Sequence, residues 1–227
     1  MNYAMILAGG TGSRMASATP KQFLEVGGKP IIIHTLEVFN NNPLVDEIIV
    51  VCHPEWVLKA SQMIDFYIPN NSIKIVKGGT TRNESIFFGL EYLINGYNIM
   101  DEDIVLTHDS VRPFINDEVI KSNIELCKIY KAVGTVTKTV DTIFTSKDGV
   151  TIDSVPNRDY LYNAETPQTF NIKELYSVLN NGLNYNDFTD LCGLYKFSGK
   201  EVYITVSSEN NFKITTLKDL EFANNIM

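Results

Sequence analysis

The run Met5-Ile6-Leu7-Ala8-Gly9-Gly10-Thr11-Gly12-Ser13-Arg14-Met15, followed by Pro20-Lys21-Gln22, packs an apolar strand, a glycine-rich turn and two cations into the first 22 residues. Gly9, Gly10, Gly12 and Ser13 let the backbone bend tightly and bring its N–H groups against a polyphosphate, while Arg14 and Lys21 supply positive charge. The combination points to a nucleoside triphosphate site. Two commoner phosphate loops fit less well. A Walker A loop needs Gly-x-x-x-x-Gly-Lys-Ser/Thr, which is absent. Gly10 and Gly12 match the first two glycines of the dinucleotide fingerprint, but Met15 occupies its third position. Neither motif explains Lys21, nine residues beyond Gly12 and held behind a proline.

The rest of the chain alternates between strand and helix patterns. Pro30 opens a helix carrying Ile32, Leu36 and Phe39, which ends at Asn40-Asn41-Asn42-Pro43. Glu47–Cys52 reads as a buried parallel strand, 54–67 as a helix and 73–76 as a short strand. Thr81 and Glu84 suggest a capping box for a helix whose Ile86, Phe87, Leu90, Leu93 and Ile94 share one face. Residues 103–107 form another strand, Asn116 caps a helix reaching Tyr130, and a further strand starts near Ala132. This predicts a single α/β domain, Rossmann-like, with a mostly parallel sheet and ligands at the C-terminal ends of its strands.

Composition narrows the function. The chain has 227 residues, enough for one large domain with a full core, and 44% hydrophobic and 20% charged residues are ordinary for a globular protein. A net charge of −8 argues against general nucleic-acid binding, which requires many cations. No long apolar run or basic leader is visible, so a cytoplasmic protein that neither spans a membrane nor is secreted is expected. Cys52, Cys127 and Cys192 are widely spaced and read as buried thiols rather than a disulfide or zinc framework.

Residues 138–162 interrupt the alternation. Two alternating runs, Lys138–Phe144 and Val150–Val155, flank the turn Ser146-Lys147-Asp148-Gly149 and read as a β-hairpin, either a local flap or an arm reaching a second subunit. Gly78-Gly79-Thr80-Thr81-Arg82-Asn83-Glu84-Ser85 joins a strand to a helix and offers backbone groups, hydroxyls and a cation. His108-Asp109-Ser110-Val111-Arg112-Pro113-Phe114 follows a buried strand directly, where an α/β sheet presents catalytic groups. Asp109 can organise Mg²⁺, directly or through water, or hold an acceptor's hydroxyls; Arg112 can orient Asp109 or the substrate. A purely structural ion pair is the alternative. His108 reads as a packed strand-end residue.

Leu-Ala-Gly-Gly-x-Gly-x-Arg-Met with Pro-Lys-Gln resembles the sugar- and polyol-phosphate nucleotidyltransferases (EC 2.7.7). With the downstream segments Asn157-Arg158-Asp159, Thr166-Pro167-Gln168-Thr169-Phe170, Thr189-Asp190 and Phe212-Lys213-Ile214-Thr215-Thr216, the whole chain resembles the cytidylyltransferases that couple CTP to 2-C-methyl-D-erythritol 4-phosphate or to ribitol 5-phosphate. The resemblance implies a Mg²⁺-dependent homodimer joined through the hairpin arm. CTP would rest on Leu7, Ala8, Gly9, Gly10, Thr11 and Gly12 and on Gly79, Thr80, Arg82, Ser85 and Ser110, with groups near Gly79 and Ser85 reading cytosine. Arg14 and Lys21 would face the reacting phosphate. Thr142, Arg158 and Lys213 would hold the acceptor phosphate, the first two across the dimer. Thr166 would line the acceptor pocket, and Asp190 would support the metal or Lys21, or merely cap a helix. His-Asp-Ser-Val-Arg-Pro-Phe, in place of His-Asp-Ala-Ala-Arg-Pro, looks like the ribitol-phosphate branch that makes CDP-ribitol for teichoic acids or capsules; the methylerythritol branch of isoprenoid synthesis is the alternative. A CTP-binding module without catalysis and, more weakly, a dinucleotide oxidoreductase are the other readings.

Overall fold

A computed structural model describes residues 1–10, 19–207 and 211–227. The glycine loop's Thr11, Gly12, Ser13, Arg14 and Met15 lie outside the described residues. Strands β1 (Asn2–Ala8), β4 (Glu47–Cys52), β5 (Lys74–Lys77), β6 (Ile104–Asp109), β7 (Ala132–Lys138), β8 (Tyr162–Asn171) and β9 (Tyr203–Val206) form one sheet in the order β5-β4-β1-β6-β8-β7-β9. The pairs β5–β4, β4–β1, β1–β6 and β7–β9 are parallel; β8 runs antiparallel to both its neighbours. The short antiparallel pair β2 (Glu25–Val26) and β3 (Lys29–Pro30) stands apart.

Helices cover both faces, which is why the central strands read as continuous apolar runs. Along β1, Ala4, Ile6 and Ala8 turn toward one core with Ile48, Val50 and Cys52 of β4, while Tyr3 and Met5 turn toward the other with Ile49 and Val51. The first core is closed by α1 (Ile31–Asn41), α2 (Val57–Tyr67) and α4 (Asp117–Tyr130), the second by α3 (Arg82–Gly96), α5 (Ile172–Leu179) and α6 (Leu191–Phe197). A small third cluster of Val26, Ile31, Val111, Ile214 and Ala223 docks α7 (Leu217–Ile226) near the end of β6. α3 lies so close to the sheet that a Cβ on Gly89 would come within 2.7 Å of Met5 Cε and 3.0 Å of Val51 Cγ2. Only glycine fits there without repacking.

Local signals account for most element ends. Asn116 accepts from the Val119 amide at 3.0 Å and Thr216 from Asp219, capping α4 and α7. Thr81 accepts from the Glu84 amide, but the Glu84 carboxylate closes on the amide and hydroxyl of Thr80, so the expected capping box is shifted by one residue. Cys52 and Cys127 are buried thiols as expected, whereas Cys192 is partly exposed.

The hairpin differs from the expectation. β7 and β8 form its stem, with Lys138 paired to Tyr162, yet beyond them the expected strands reduce to one antiparallel bridge between Thr145 and Ser154. The turn is held by Asp148, which accepts from the amides of Val150 and Thr151. Val140, Phe144, Val150, Ile152 and Val155 are all exposed. A two-stranded ribbon with no apolar surface to cover has too little burial to maintain a full ladder.

The α4 helix is tied to the sheet by a buried polar cluster. Asn123 donates to the Val119 carbonyl and to Thr135 Oγ1 and accepts from Thr169 Oγ1; Thr135 in turn donates to the Pro167 carbonyl at 2.6 Å. Removing one member strands buried polar groups. Asn123→Ala should therefore lower the unfolding free energy by about 3 kcal/mol, read from the urea midpoint at constant slope; a loss below about 1 kcal/mol would contradict this account of the cluster.

Candidate active site

The parallel strands β1 and β6 lie side by side, with Leu7 opposite Asp109, and the chain leaves both at their C-terminal ends. In an open α/β sheet this is where strand order reverses and a crevice opens. A cleft of about 560 Å³ occupies it, lined by Leu7, Gly9 and Gly10 from the glycine loop, by Gly79–Arg82 and Ser85 at the start of α3, and by Asp109, Ser110 and Lys213. Lys21, Gln22, His53, Val111 and Thr215 complete the wall among the described residues.

Asp109 is the centre of the arrangement. Its Oδ2 lies 2.9 Å from Lys213 Nζ and 3.5 Å from Arg112 Nε, and its Oδ1 lies 3.7 Å from Arg82 Nε. Burial opposes ionisation of this carboxyl, but the charges of Arg82, Lys213 and Arg112 outweigh burial and hold its pKa below the ordinary carboxylate value. Three cations around one carboxylate leave a surplus of positive charge in a chain that is acidic overall. Among the described residues, Arg82 Nη1 and Arg112 Nε are buried without a hydrogen-bond acceptor. Buried donors of this kind are costly unless an anion meets them. Donors and surplus positive charge together suit an anion.

Neighbouring contacts hold the loop after β6 in place. Thr166 Oγ1 accepts from the Asp109 amide at 3.1 Å and donates to His108 Nδ1 at 3.1 Å, and His108 Nε2 donates to the Arg112 carbonyl at 3.2 Å. The Arg112 carbonyl can only accept, so Nε2 carries the proton, and burial of the ring disfavours a second proton on Nδ1. Arg112 Nη1 donates to the Asn211 carbonyl at 2.8 Å, and the Ser110 amide to the Leu7 carbonyl at 3.1 Å. On the opposite wall the Gly79 amide donates to Ser85 Oγ, which donates to the Thr81 carbonyl. Gly78 is required just before it, because a Cβ there would stand 2.9 Å from Ser85 Oγ and 3.3 Å from the Cys52 carbonyl.

The structure gathers many of the residues expected from the sequence. Leu7, Gly9, Gly10, Lys21, Gly79, Thr80, Arg82, Ser85, Asp109, Ser110 and Lys213 line one cleft, with Ala8 at the end of β1 and Arg112 and Thr166 packed behind Asp109. Lys21 Nζ donates to the Ile214 carbonyl at 3.2 Å, joining the two cation-bearing segments. Thr11, Gly12 and Arg14 lie outside the described residues. Asp190 is not among the residues lining this cleft: it caps α6 through the Gly193 amide and accepts from Gln168 Nε2 at 2.7 Å, so it touches neither Lys21 nor Asp109. A helix start supplies the donors its carboxylate needs. Thr142 and Arg158 sit on the exposed arm, outside the cleft of their own chain, with Arg158 Nη1 donating to the Val140 carbonyl.

Sequence reasoning missed Gln22 and Asn211. Gln22 is buried and donates to the carbonyls of Ala8 and Gly10, pinning the entry to the glycine loop; its position beside Lys21 was the available signal. Asn211 carries no such signal, since its partners are remote in sequence.

The model of the family described as 2-C-methyl-D-erythritol 4-phosphate cytidylyltransferase matches residues 3–227. A ribitol-5-phosphate cytidylyltransferase of Streptococcus pneumoniae strain CGSP14 is 44% identical over 233 residues, covering 100% of this chain and 99% of its own. The crystal structure of 4-diphosphocytidyl-2C-methyl-D-erythritol synthase from Anaerococcus prevotii superposes with a TM-score of 0.85 at 34% identity, covering 99% of this chain and 95% of the other. The 2-C-methyl-D-erythritol 4-phosphate cytidylyltransferase of Francisella tularensis gives 0.82 at 26% identity, covering 100% and 99%.

His108 gives the site a pH signature. Burial pushes its imidazole from 6.5 down to about 4, against the partly offsetting charge of Asp109. Above pH 6.5 the ring is neutral whether the chain is folded or not; between 6.5 and about 4 only the unfolded chain takes up the proton. Stability should therefore fall as pH drops through that window, by roughly 3 kcal/mol from this group alone. Urea unfolding in chelator should show a weaker pH dependence for His108→Asn across that range; an unchanged slope would contradict a neutral buried ring.

Proposed function

The chain belongs to the 2-C-methyl-D-erythritol 4-phosphate cytidylyltransferase family, and on that premise we propose that it transfers the cytidylyl group of CTP to D-ribitol 5-phosphate, giving CDP-ribitol and pyrophosphate. The observation that carries the reading is the cleft at the ends of β1 and β6, where Arg82, Arg112 and Lys213 converge on Asp109 beside the glycine loop. The sequence of the loop after β6, His-Asp-Ser-Val-Arg-Pro-Phe, and the name of the pneumococcal relative support ribitol 5-phosphate as acceptor.

The reaction asks little covalent chemistry of the protein. A phosphate oxygen of the acceptor is anionic at neutral pH and attacks the α-phosphorus of CTP, the bond to the β-phosphate breaks, and pyrophosphate leaves. No strong general base is required. Lys21 and Lys213, on either side of the Ile214 carbonyl contact, bring positive charge to the triphosphate and the incoming phosphate, and Arg82 offers its buried Nη1 to the same anions. Gly79 and Ser85 would read the base, and Ser110 would meet a polyol hydroxyl; all three line the cleft. Arg14 would add charge at the α-phosphate.

The donor set fits Mg²⁺ carried by the nucleotide. No cluster of three metal-ligating side chains occurs among the described residues, but one ionised carboxylate, Asp109, faces the cleft, and Mg²⁺ is commonly held by one or two carboxylates plus substrate phosphates. Asp109 would hold it directly or through water. When bound, the ion neutralises charge on the phosphate oxygens.

The exposed apolar side chains of the arm, together with Arg158 and Thr142 on it, support a homodimer in which the arm reaches the partner's acceptor site. Among the described residues no helix is long and apolar enough to cross a membrane, and nucleotide and acceptor of this kind fit a cytoplasmic enzyme.

Mg²⁺-dependent release of pyrophosphate from CTP tests the assignment. Release with D-ribitol 5-phosphate, at least tenfold faster than with 2-C-methyl-D-erythritol 4-phosphate, is expected; the reverse preference would move the chain to the methylerythritol reaction, and silence with both would leave a CTP-binding module.

A further inference from the structure

Glu165 is a carboxylate about nine-tenths buried, three residues before Gln168 on β8 and next to Thr166. No cation lies within salt-bridge distance of it among the described residues. Neutral donors hold it instead: Ser207 Oγ at 2.7 Å and Asn211 Nδ2 at 2.9 Å on Oε2, and Thr137 Oγ1 at 3.2 Å on Oε1. Burying a carboxyl group is costly even where neutral donors meet it, so its place here calls for a reason.

Its partners supply one. Ser207 and Asn211 bracket the segment that follows β9, and Asn211 spends its second Nδ2 proton on the Thr166 carbonyl at 2.9 Å. The backbone carbonyl of the same Asn211 receives Arg112 Nη1 at 2.8 Å. Arg112 in turn faces Asp109 Oδ2 at 3.5 Å. A continuous path of hydrogen bonds and charge thus runs from Glu165 through Asn211 and Arg112 to the carboxylate at the centre of the cleft. A second thread starts one residue along β8, where Thr166 takes the Asp109 amide and donates to His108. Thr137, at the root of the arm, closes the network on its other side.

We propose that Glu165 is a positioning residue for the acceptor half of the reaction: it anchors Asn211 so that the Asn211 carbonyl aims Arg112 at Asp109. It touches neither substrate, and the reading rests on the cytidylyltransferase function proposed above. On the side of the cleft that binds CTP, Arg82 alone meets this path, at 3.7 Å from Asp109 Oδ1 and across the carboxylate from Arg112; among the described residues Gly79, Thr80, Ser85 and β1 lie off it. Loss of the anchor should therefore weaken use of the polyol phosphate and leave nucleotide binding unchanged.

The test compares Glu165→Ala, Glu165→Gln and wild type in the Mg²⁺-dependent pyrophosphate assay, with CTP and D-ribitol 5-phosphate each varied. Glu165→Ala should lower kcat/KM for ribitol 5-phosphate about tenfold while the KM for CTP stays within twofold. Glu165→Gln keeps an acceptor for Ser207 and Asn211 and should restore most of the loss. Equal kcat/KM in a folded Glu165→Ala protein, a parallel rise in the KM for CTP, or a glutamine variant as poor as alanine would overturn the proposal. If Glu165→Ala does not fold, Asn211→Ala removes the same link and carries the same expectations. The Arg112 Nε–H resonance gives a readout free of turnover: it should shift in Glu165→Ala and return in Glu165→Gln, and an unmoved signal would overturn the coupling. Silence of the wild type with ribitol 5-phosphate would instead count against the functional reading, with the resonance still deciding the role of Glu165.

Discussion

One ionised carboxylate under three cations organises the functional half of this molecule. Arg82 comes from the start of α3, Arg112 from the loop after β6 and Lys213 from the segment before α7, and like charges so close would repel one another without Asp109 between them. The carboxylate also depends on them, since a buried anion with no partners would protonate. Each partner makes the other tenable around a carboxylate that is itself buried. The geometry leaves surplus positive charge at the cleft, where Arg82 carries a buried guanidinium N–H without an acceptor among the described residues.

The sheet explains why those groups meet. Parallel strands β1 and β6 end at the same level, so Gly9 and Gly10 after one and the Asp-Ser-Val-Arg loop after the other share a crevice. Antiparallel β8 then passes beside β6 and delivers Thr166 and Glu165 behind that loop. The mixed sheet thus serves two ends: its parallel part opens the cleft, and its one reversed strand braces it. Buried hydrogen bonds from Thr166, His108 and Asn211 remove the freedom the loop would otherwise have, which is the pre-organisation that charge-stabilising catalysis needs.

Much of this was legible in the sequence where signals are local. The apolar run Glu47–Cys52, the Asn116 cap and the strand start at Ala132 each depend on neighbours within a few residues, and the structure has them at those positions. Gly9, Gly10, Asp109 and Ser110 were legible as cleft residues because their residue types are rarely assembled for packing alone. Asp190 was ambiguous for the opposite reason: an aspartate before a helix suits both a cap and a site, and the structure uses it as a cap. The arm's alternation suggested strands, but alternation reports a face to be covered, and within one chain nothing covers it. Thr166-Pro167 lies inside β8, where tertiary pairing overrides the local preference of proline. Gln22, Asn211 and Glu165 act through backbone carbonyls and neutral donors remote in sequence, and such contacts leave no periodic trace.

The central claim is that the charge of Asp109 sets the geometry for transfer without being what holds the nucleotide. Asp109→Asn keeps the size of the side chain and removes that charge. Measured side by side, calorimetric CTP binding should stay within about tenfold of the wild type while turnover with D-ribitol 5-phosphate falls on the order of 10²-fold, the scale of losing one charge-positioning group. Near-normal turnover in a folded variant would contradict the account, and so would a turnover loss matched by an equal loss of CTP affinity.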